Sequence, residues 1–199
     1  MQFIMKHIES SRPAAAAQEA GKSNACLRMV APESLFNFSY GMFLLSSKDG
    51  ARDNGCIINT AAQITVSPLK ISVTVNKANL THHMILKTGE FALSILTEST
   101  PFRVFEHFGF QSGKDADKFS GYDDVGRTSN GIRYLPEHSN SVIAGKITEF
   151  HDYCTHTLFI ADVTEALILS DEPSATLRYY FDNIKPKPRR ENGKKDEVL

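Results

Sequence analysis

What this chain lacks narrows its chemistry early. It has only three cysteines, Cys26, Cys56 and Cys154, odd in number and far apart. No C-x-x-C pair occurs, so neither a disulfide framework nor a zinc ribbon is indicated, and free thiols in a reducing cytoplasm are the expectation. No apolar run approaches the roughly 18 residues that span a bilayer. The N-terminal apolar opening is broken by Lys6, His7 and Glu9, which excludes a secretory signal and adds to the cytoplasmic expectation. Charge of one sign is also missing: the net charge is -1, with no global pull toward nucleic acid or acidic membranes. No G-x-G-x-x-G follows a strand, and no P-loop, nucleophile elbow or H-E-x-x-H occurs. There is no internal repeat.

What remains is a chain of 199 residues, 41% hydrophobic and 23% charged, the size of one ordinary globular domain. Residues 1–29 read as an extension, open to disorder or to a place on a partner subunit. Residues 30–184 read as the domain, and residues 185–199 as a basic linker or tail stiffened by Pro186 and Pro188. Within the domain, apolar and aromatic residues from Phe36 to Ser47 predict a strand buried on both faces, ending at the turn signal Lys48-Asp49-Gly50. Cys56–Ile58 and the alternating Ile71–Val75 predict two more, joined by a polar stretch. Asn79 is positioned to cap a short helix that Gly89 ends. Phe91–Leu96 reads as a strand. Thr100 and Pro101 then open a helix carrying Phe102, Phe105 and Phe108. Strands over 142–150 and 157–163 and a short helix over 175–181 complete the count. Six or more strands with only short helices disfavour a doubly wound α/β fold. They favour a mainly β, closed or nearly closed antiparallel barrel with helices covering its ends.

Two stretches carry candidate chemistry. In Asn76-Lys77-Ala78-Asn79-Leu80-Thr81, a capped helix would present free N–H groups, a lysine and a hydroxyl at one point, which is a phosphate site or an ordinary capped helix. Asn59, Thr60, Gln63, Thr65 and Ser67 form either a polar ligand wall or a solvated loop. His151, Cys154 and His156 do not converge as metal ligands, because neighbouring positions on a strand face opposite ways. The long Gly-rich loop Phe110–Gly126 is a candidate lid, with Phe110 or Phe119 against a ligand, or an idle solvated loop.

Set together, Tyr40-Gly41, Lys48-Asp49-Gly50, Asp53–Thr60, Thr65–Pro68, Val75–His82, Phe108–Phe119 and His156–Val163 resemble the flavin reductase-like proteins. That family has the FMN-binding split barrel of flavoredoxins and of NAD(P)H:rubredoxin oxidoreductase flavin domains, and the resemblance covers residues 34–182. It implies a Greek-key-like split β-barrel and a homodimer with FMN near the subunit interface. It implies electron transfer from NAD(P)H through FMN to a carrier such as rubredoxin or to free flavin. Asn59, Thr60 and Ala61 would lie along the ring and ribityl chain, Ser67 would close that edge, and Lys77, Asn79 and Thr81 would hold the phosphate. His156 would be a nicotinamide or flavin-side contact. Family reductases often carry Gly-Asp-His where this chain has Cys154-Thr155-His156. That departure keeps open a non-enzymatic flavoredoxin-type carrier, and a flavin-free split-barrel binding module is the third reading. Rubredoxin-fused relatives carry an iron domain after such a segment. Its absence from these residues leaves either a removed module or a separate redox partner docking at the basic tail.

Overall fold

The computed structural model describes residues 31–187. The expectations for residues 1–29, and for the tail past Lys187, lie outside them. Seven antiparallel strands form one sheet in the order β2-β1-β5-β8-β9-β4-β3. They are β1 (Phe43–Asp49), β2 (Arg52–Ile58), β3 (Ala61–Thr65), β4 (Lys70–Asn76), β5 (Glu90–Leu96), β8 (Ser139–Tyr153) and β9 (His156–Ile168). A separate two-stranded ribbon pairs β6 (Gly126–Arg127) with β7 (Arg133–Tyr134). The helices are α1 (Leu80–Thr88), α2 (Phe102–Phe110) and α3 (Leu177–Tyr179), the last continued by a π turn over Tyr180–Ile184.

The strand order explains the shape. β2 and β3 are the two outer strands of the sheet, yet only Asn59 and Thr60 separate them in sequence. A two-residue connection cannot cross a flat sheet of seven strands spaced about 4.8 Å apart. The sheet therefore curls until its edges approach, and the barrel is split at that unpaired seam. Thr60 ties the seam to β4: its carbonyl accepts from the Thr74 N–H at 2.9 Å and its hydroxyl donates to the Thr74 carbonyl at 2.7 Å. Curvature comes from β8, which pairs with β5 over its first half and with β9 over nearly its whole length. Register shifts at Ala144/Gly145 and Ile147/Glu149 let it bend.

Period-two patterning sorts side chains into two cores. Leu45, Cys56, Ile58, Ile71, Val73, Val75, Phe91, Leu93 and Phe159 fill one with Ile85 of α1. Leu44 and Ile57, one residue out of phase, join Phe105 and Phe108 of α2, Phe119 and Tyr180 in a second, aromatic core. β1 and β2 are thus buried on both faces, as their paired apolar residues predict. Gly55 lies mid-strand in β2, where a Cβ would sit 2.9 Å from Leu44 Cδ1 and 3.2 Å from Phe108 Cδ1. It admits α2 against the sheet.

Several boundaries differ from expectation. Pro32–Asn37 is a 3-10 turn, and β1 begins at Phe43. The polar stretch after Asn59 is the edge strand β3, exposed along most of its length because only β4 pairs with it. Thr100 does not cap α2. Its hydroxyl donates to the His138 carbonyl at 3.1 Å, and Pro101 occupies the cap position.

Candidate functional site

The helix α1 starts where β4 ends. Gly89 terminates it in the left-handed region at φ 73°, with its N–H on the Ile85 carbonyl at 2.8 Å. Asn79 stands at the N-cap with extended backbone, but its side chain makes no capping bond. Asn76 takes that turn instead, its Oδ1 accepting from the Ala78 N–H at 2.8 Å. The N–H groups of Ala78, Asn79 and His82 are thus used within the turn, which leaves those of Leu80 and Thr81 at a helix start that lines a pocket.

That pocket is a cavity of about 150 Å³ walled by three segments. Asn54, Cys56 and Ile57 come from β2, Asn76 and Ala78–Thr81 from the α1 start, and Gly109–Gly113 with Lys118 from the end of α2 and its loop. Thr81 is fully buried, and its Oγ1 accepts from Asn54 Nδ2 at 2.8 Å. Asn54, only 2% exposed, leaves Oδ1 without a partner. Gly113 permits this arrangement, since a Cβ there would collide with the Asn54 amide. Lys118 is 3% exposed and donates to the carbonyls of Phe108 at 2.8 Å and Gly55 at 3.1 Å. Burial pulls its ammonium below the ordinary lysine value. Burial also pushes the neighbouring Cys56 thiol up, against the opposing pull of Thr81 and Lys118.

Of the residues expected at a phosphate, Asn79 and Thr81 line this pocket. Lys77 stands outside its wall, in a partly exposed ion pair with Asp152, whose carboxyl that contact holds below the usual range. Such a solvent-screened surface pair adds little to stability. Asn59, Thr60 and Ala61 continue from the β2 wall into the seam: Asn59 is buried, Thr60 is bonded to Thr74, and Ala61 opens β3 opposite Val73. Ser67 is exposed in the β3–β4 turn, at the opposite end of β4 from the pocket.

His156 pairs with Asn76 across β4 and β9, so the two share a face and the imidazole stands beside the rim. Its Nδ1 lies 2.8 Å from Thr155 Oγ1, and burial lowers its pKa. Cys154, in the β8–β9 turn, has φ 50°, a left-handed conformation uncommon for a residue other than glycine. The long loop divides its two aromatic candidates. Phe110 lines the pocket, whereas Phe119 is buried against Phe108 with ring centroids 5.3 Å apart.

Cys56, Gly113 and Lys118 are site residues that local pattern did not single out, and Asn54 and Asn76 lay in the candidate stretches without a role of their own. Asn54-Gly55 is a turn signal by composition, and Lys118 sits in a polar loop without period. A second hollow of about 510 Å³ beyond α2 is larger but mixes Arg103 with Glu106, Asp123, Asp124 and Glu137, so its charges do not converge on one ligand type.

A split antiparallel barrel with an anion-ready helix start at its seam defines a class, and comparison places the chain within it. The chain belongs to the flavin reductase like domain family, whose model matches residues 35–187. It is 35% identical over 148 residues to a high molecular weight rubredoxin of Moorella thermoacetica, covering 74% of this chain and 64% of that protein's length. It is 34% identical over 149 residues to a ferric-chelate reductase (NAD(P)H) of Archaeoglobus fulgidus, covering 74% and 87%. The fold is also that of the Streptomyces globisporus NADH:FAD oxidoreductase, with TM-score 0.66, 18% identity and coverage of 73% and 85%.

Proposed function

We propose that this chain is an FMN-dependent oxidoreductase, carrying electrons from NAD(P)H through bound FMN to an electron carrier such as rubredoxin or to free flavin. The observation that carries the reading is the pocket at the α1 start. Its backbone N–H groups and buried ammonium suit an anion, while the Asn76 and Asn79 side chains on the same wall suit hydroxyls beside it. A phosphorylated polyol has both. The cavity of about 150 Å³ is below the roughly 300–1,000 Å³ of sites that enclose a whole small molecule, so it takes one end of a longer ligand. The ribityl phosphate of FMN meets that description.

Bound flavin would supply hydride and electron transfer, and the chain's part is to bind, orient and shield it. Asn79 and Thr81 hold the phosphate end, Asn54 orients the Thr81 hydroxyl, and Lys77 follows Asn76 of the pocket wall. Asn59, Thr60 and Ala61 follow the seam as a wall for the rest of the molecule, with Ser67 at the distal turn. His156 stands on the nicotinamide side. The relatives named as a ferric-chelate reductase (NAD(P)H) and a high molecular weight rubredoxin support the donor and the class of acceptor. We further propose a cytoplasmic homodimer. Among the described residues no helix is long and apolar enough to cross a membrane.

A flavoredoxin-type carrier that does not oxidise nicotinamide is the second reading, favoured by Cys154-Thr155 in place of Gly-Asp. Titration of the purified chain with FMN should give bound-flavin absorption, and stopped-flow mixing with NADH or NADPH should bleach it within catalytic times. Binding without bleaching would select the carrier. No binding would overturn both redox readings.

A further inference from the structure

Three cationic side chains stand near the α1 start, and their surroundings differ. Lys77 is partly exposed and neutralised by Asp152. His82 is buried, with Nε2 2.8 Å from Thr157 Oγ1 and burial lowering its pKa, so it is held neutral. Lys118 is buried in the pocket wall with no carboxylate partner: its two hydrogen bonds go to neutral carbonyls. A lysine ammonium has three N–H donors, and two of them are given to carbonyls among the described residues. Burying an unpaired ammonium is costly unless a counter-charge arrives.

We propose that Lys118, rather than Lys77, supplies the principal positive charge for the phosphate end of the ligand. The same cavity is lined by Leu80 and Thr81 of the α1 start, so a buried ammonium and a helix N-terminus share one pocket wall. Lys118 comes from the loop after α2 and the helix N–H groups from the end of β4, so two separate segments bring positive charge to one cavity. His107 holds that loop in place, with Nε2 2.8 Å from the Lys118 carbonyl. The depressed pKa of the empty-site ammonium fits the same picture, since a bound phosphate would restore its charge. The identity of the ligand rests on the flavin reading above, while the anion site itself does not.

The test titrates the full chain with FMN, riboflavin and inorganic phosphate. Binding is followed by flavin fluorescence for the first two and by 31P line broadening for the third. Lys118→Met should weaken FMN on the order of 10–100-fold, as for loss of one charged hydrogen bond, and leave riboflavin within about twofold. Lys118→Gln keeps two N–H donors for the Phe108 and Gly55 carbonyls and should behave alike, which covers failure of the Met variant to fold. Lys114→Met removes an exposed charge from the same loop and should change neither. Lys118 variants that keep the wild-type preference for FMN over riboflavin would overturn the proposal. If wild type binds no FMN, the flavin reading fails separately. Phosphate broadening that Lys118→Gln abolishes then upholds the lysine, and broadening that persists or is absent from wild type sinks it.

Discussion

His82 is the residue whose chemistry most directly sets how stability depends on pH. It packs against Phe159 at 5.6 Å between ring centroids, and its Nδ1 is buried without a partner. Protonation would leave a charged ring there with no acceptor for the Nδ1 proton, and burial accordingly lowers its pKa from 6.5. His138 and His156 shift the same way for the same reason. A histidine with a depressed folded pKa contributes stability above the unfolded value, and this is lost as pH falls through the folded one, because the unfolded state binds the proton first. Urea midpoints should therefore be level above about pH 6.5 and decline on acidification below it. His82→Gln should make that decline shallower. A profile that keeps its wild-type slope in the variant would remove His82 from the account. Side-chain type alone did not announce this role, since His82-His83 on a short helix is equally consistent with capping and packing.

At the scale of elements, α2 positions the pocket by clamping β2. Phe108 is fully buried, touches Phe119 and Tyr122 with ring centroids 5.3 Å away, and rests over Gly55. Phe108→Ala should cost about 3–5 kcal/mol, the range for truncating a buried phenylalanine, measured by denaturant unfolding. A loss below about 1 kcal/mol would mean that the loop after α2 is anchored elsewhere. A further anchor is electrostatic: the buried Asp53 carboxylate of β2 is held by Arg127 at 3.2 Å and Arg133 at 3.3 Å, which fastens the β6–β7 ribbon beside the barrel. The spacing of Phe102, Phe105 and Phe108 made α2 legible, and alternation made β4 legible. β3 was not, because an edge strand exposed on both faces has no hydrophobic period to read.

At the scale of the molecule, one group of exposed apolar residues lies on the open-edge hairpin and another near the β8–β9 turn, while Leu35, Phe36, Phe38, Leu86, Leu167 and Ile168 are exposed elsewhere. Ile64, Val66 and Leu69 lie on the β3–β4 hairpin, and Phe150 and Tyr153 near the β8–β9 turn, with Val66 78% exposed. An unpaired edge strand with apolar flanks is a surface that soluble proteins cover. The proposed homodimer would cover it, so the chain should sediment at twice its 22.1 kDa mass. Ile64→Lys combined with Val66→Glu should shift it toward monomer. A wild-type monomer at micromolar concentration would overturn the dimer.

By itself the sequence determined that this is a mainly β domain, which strands alternate, and that Asn79 and Thr81 stand at the start of a helix, because periodicity and caps are local properties. The resemblance of its motifs supplied the family. Only the tertiary structure decided that Asn54 and Lys118, 64 residues apart, face one cavity with that helix start, and that Lys77 is turned to Asp152. A lysine in a polar loop reads as solvated until the loop is packed against β2. Its burial depends on Gly55, Phe108 and the closing of the barrel seam together, and no local window contains all three.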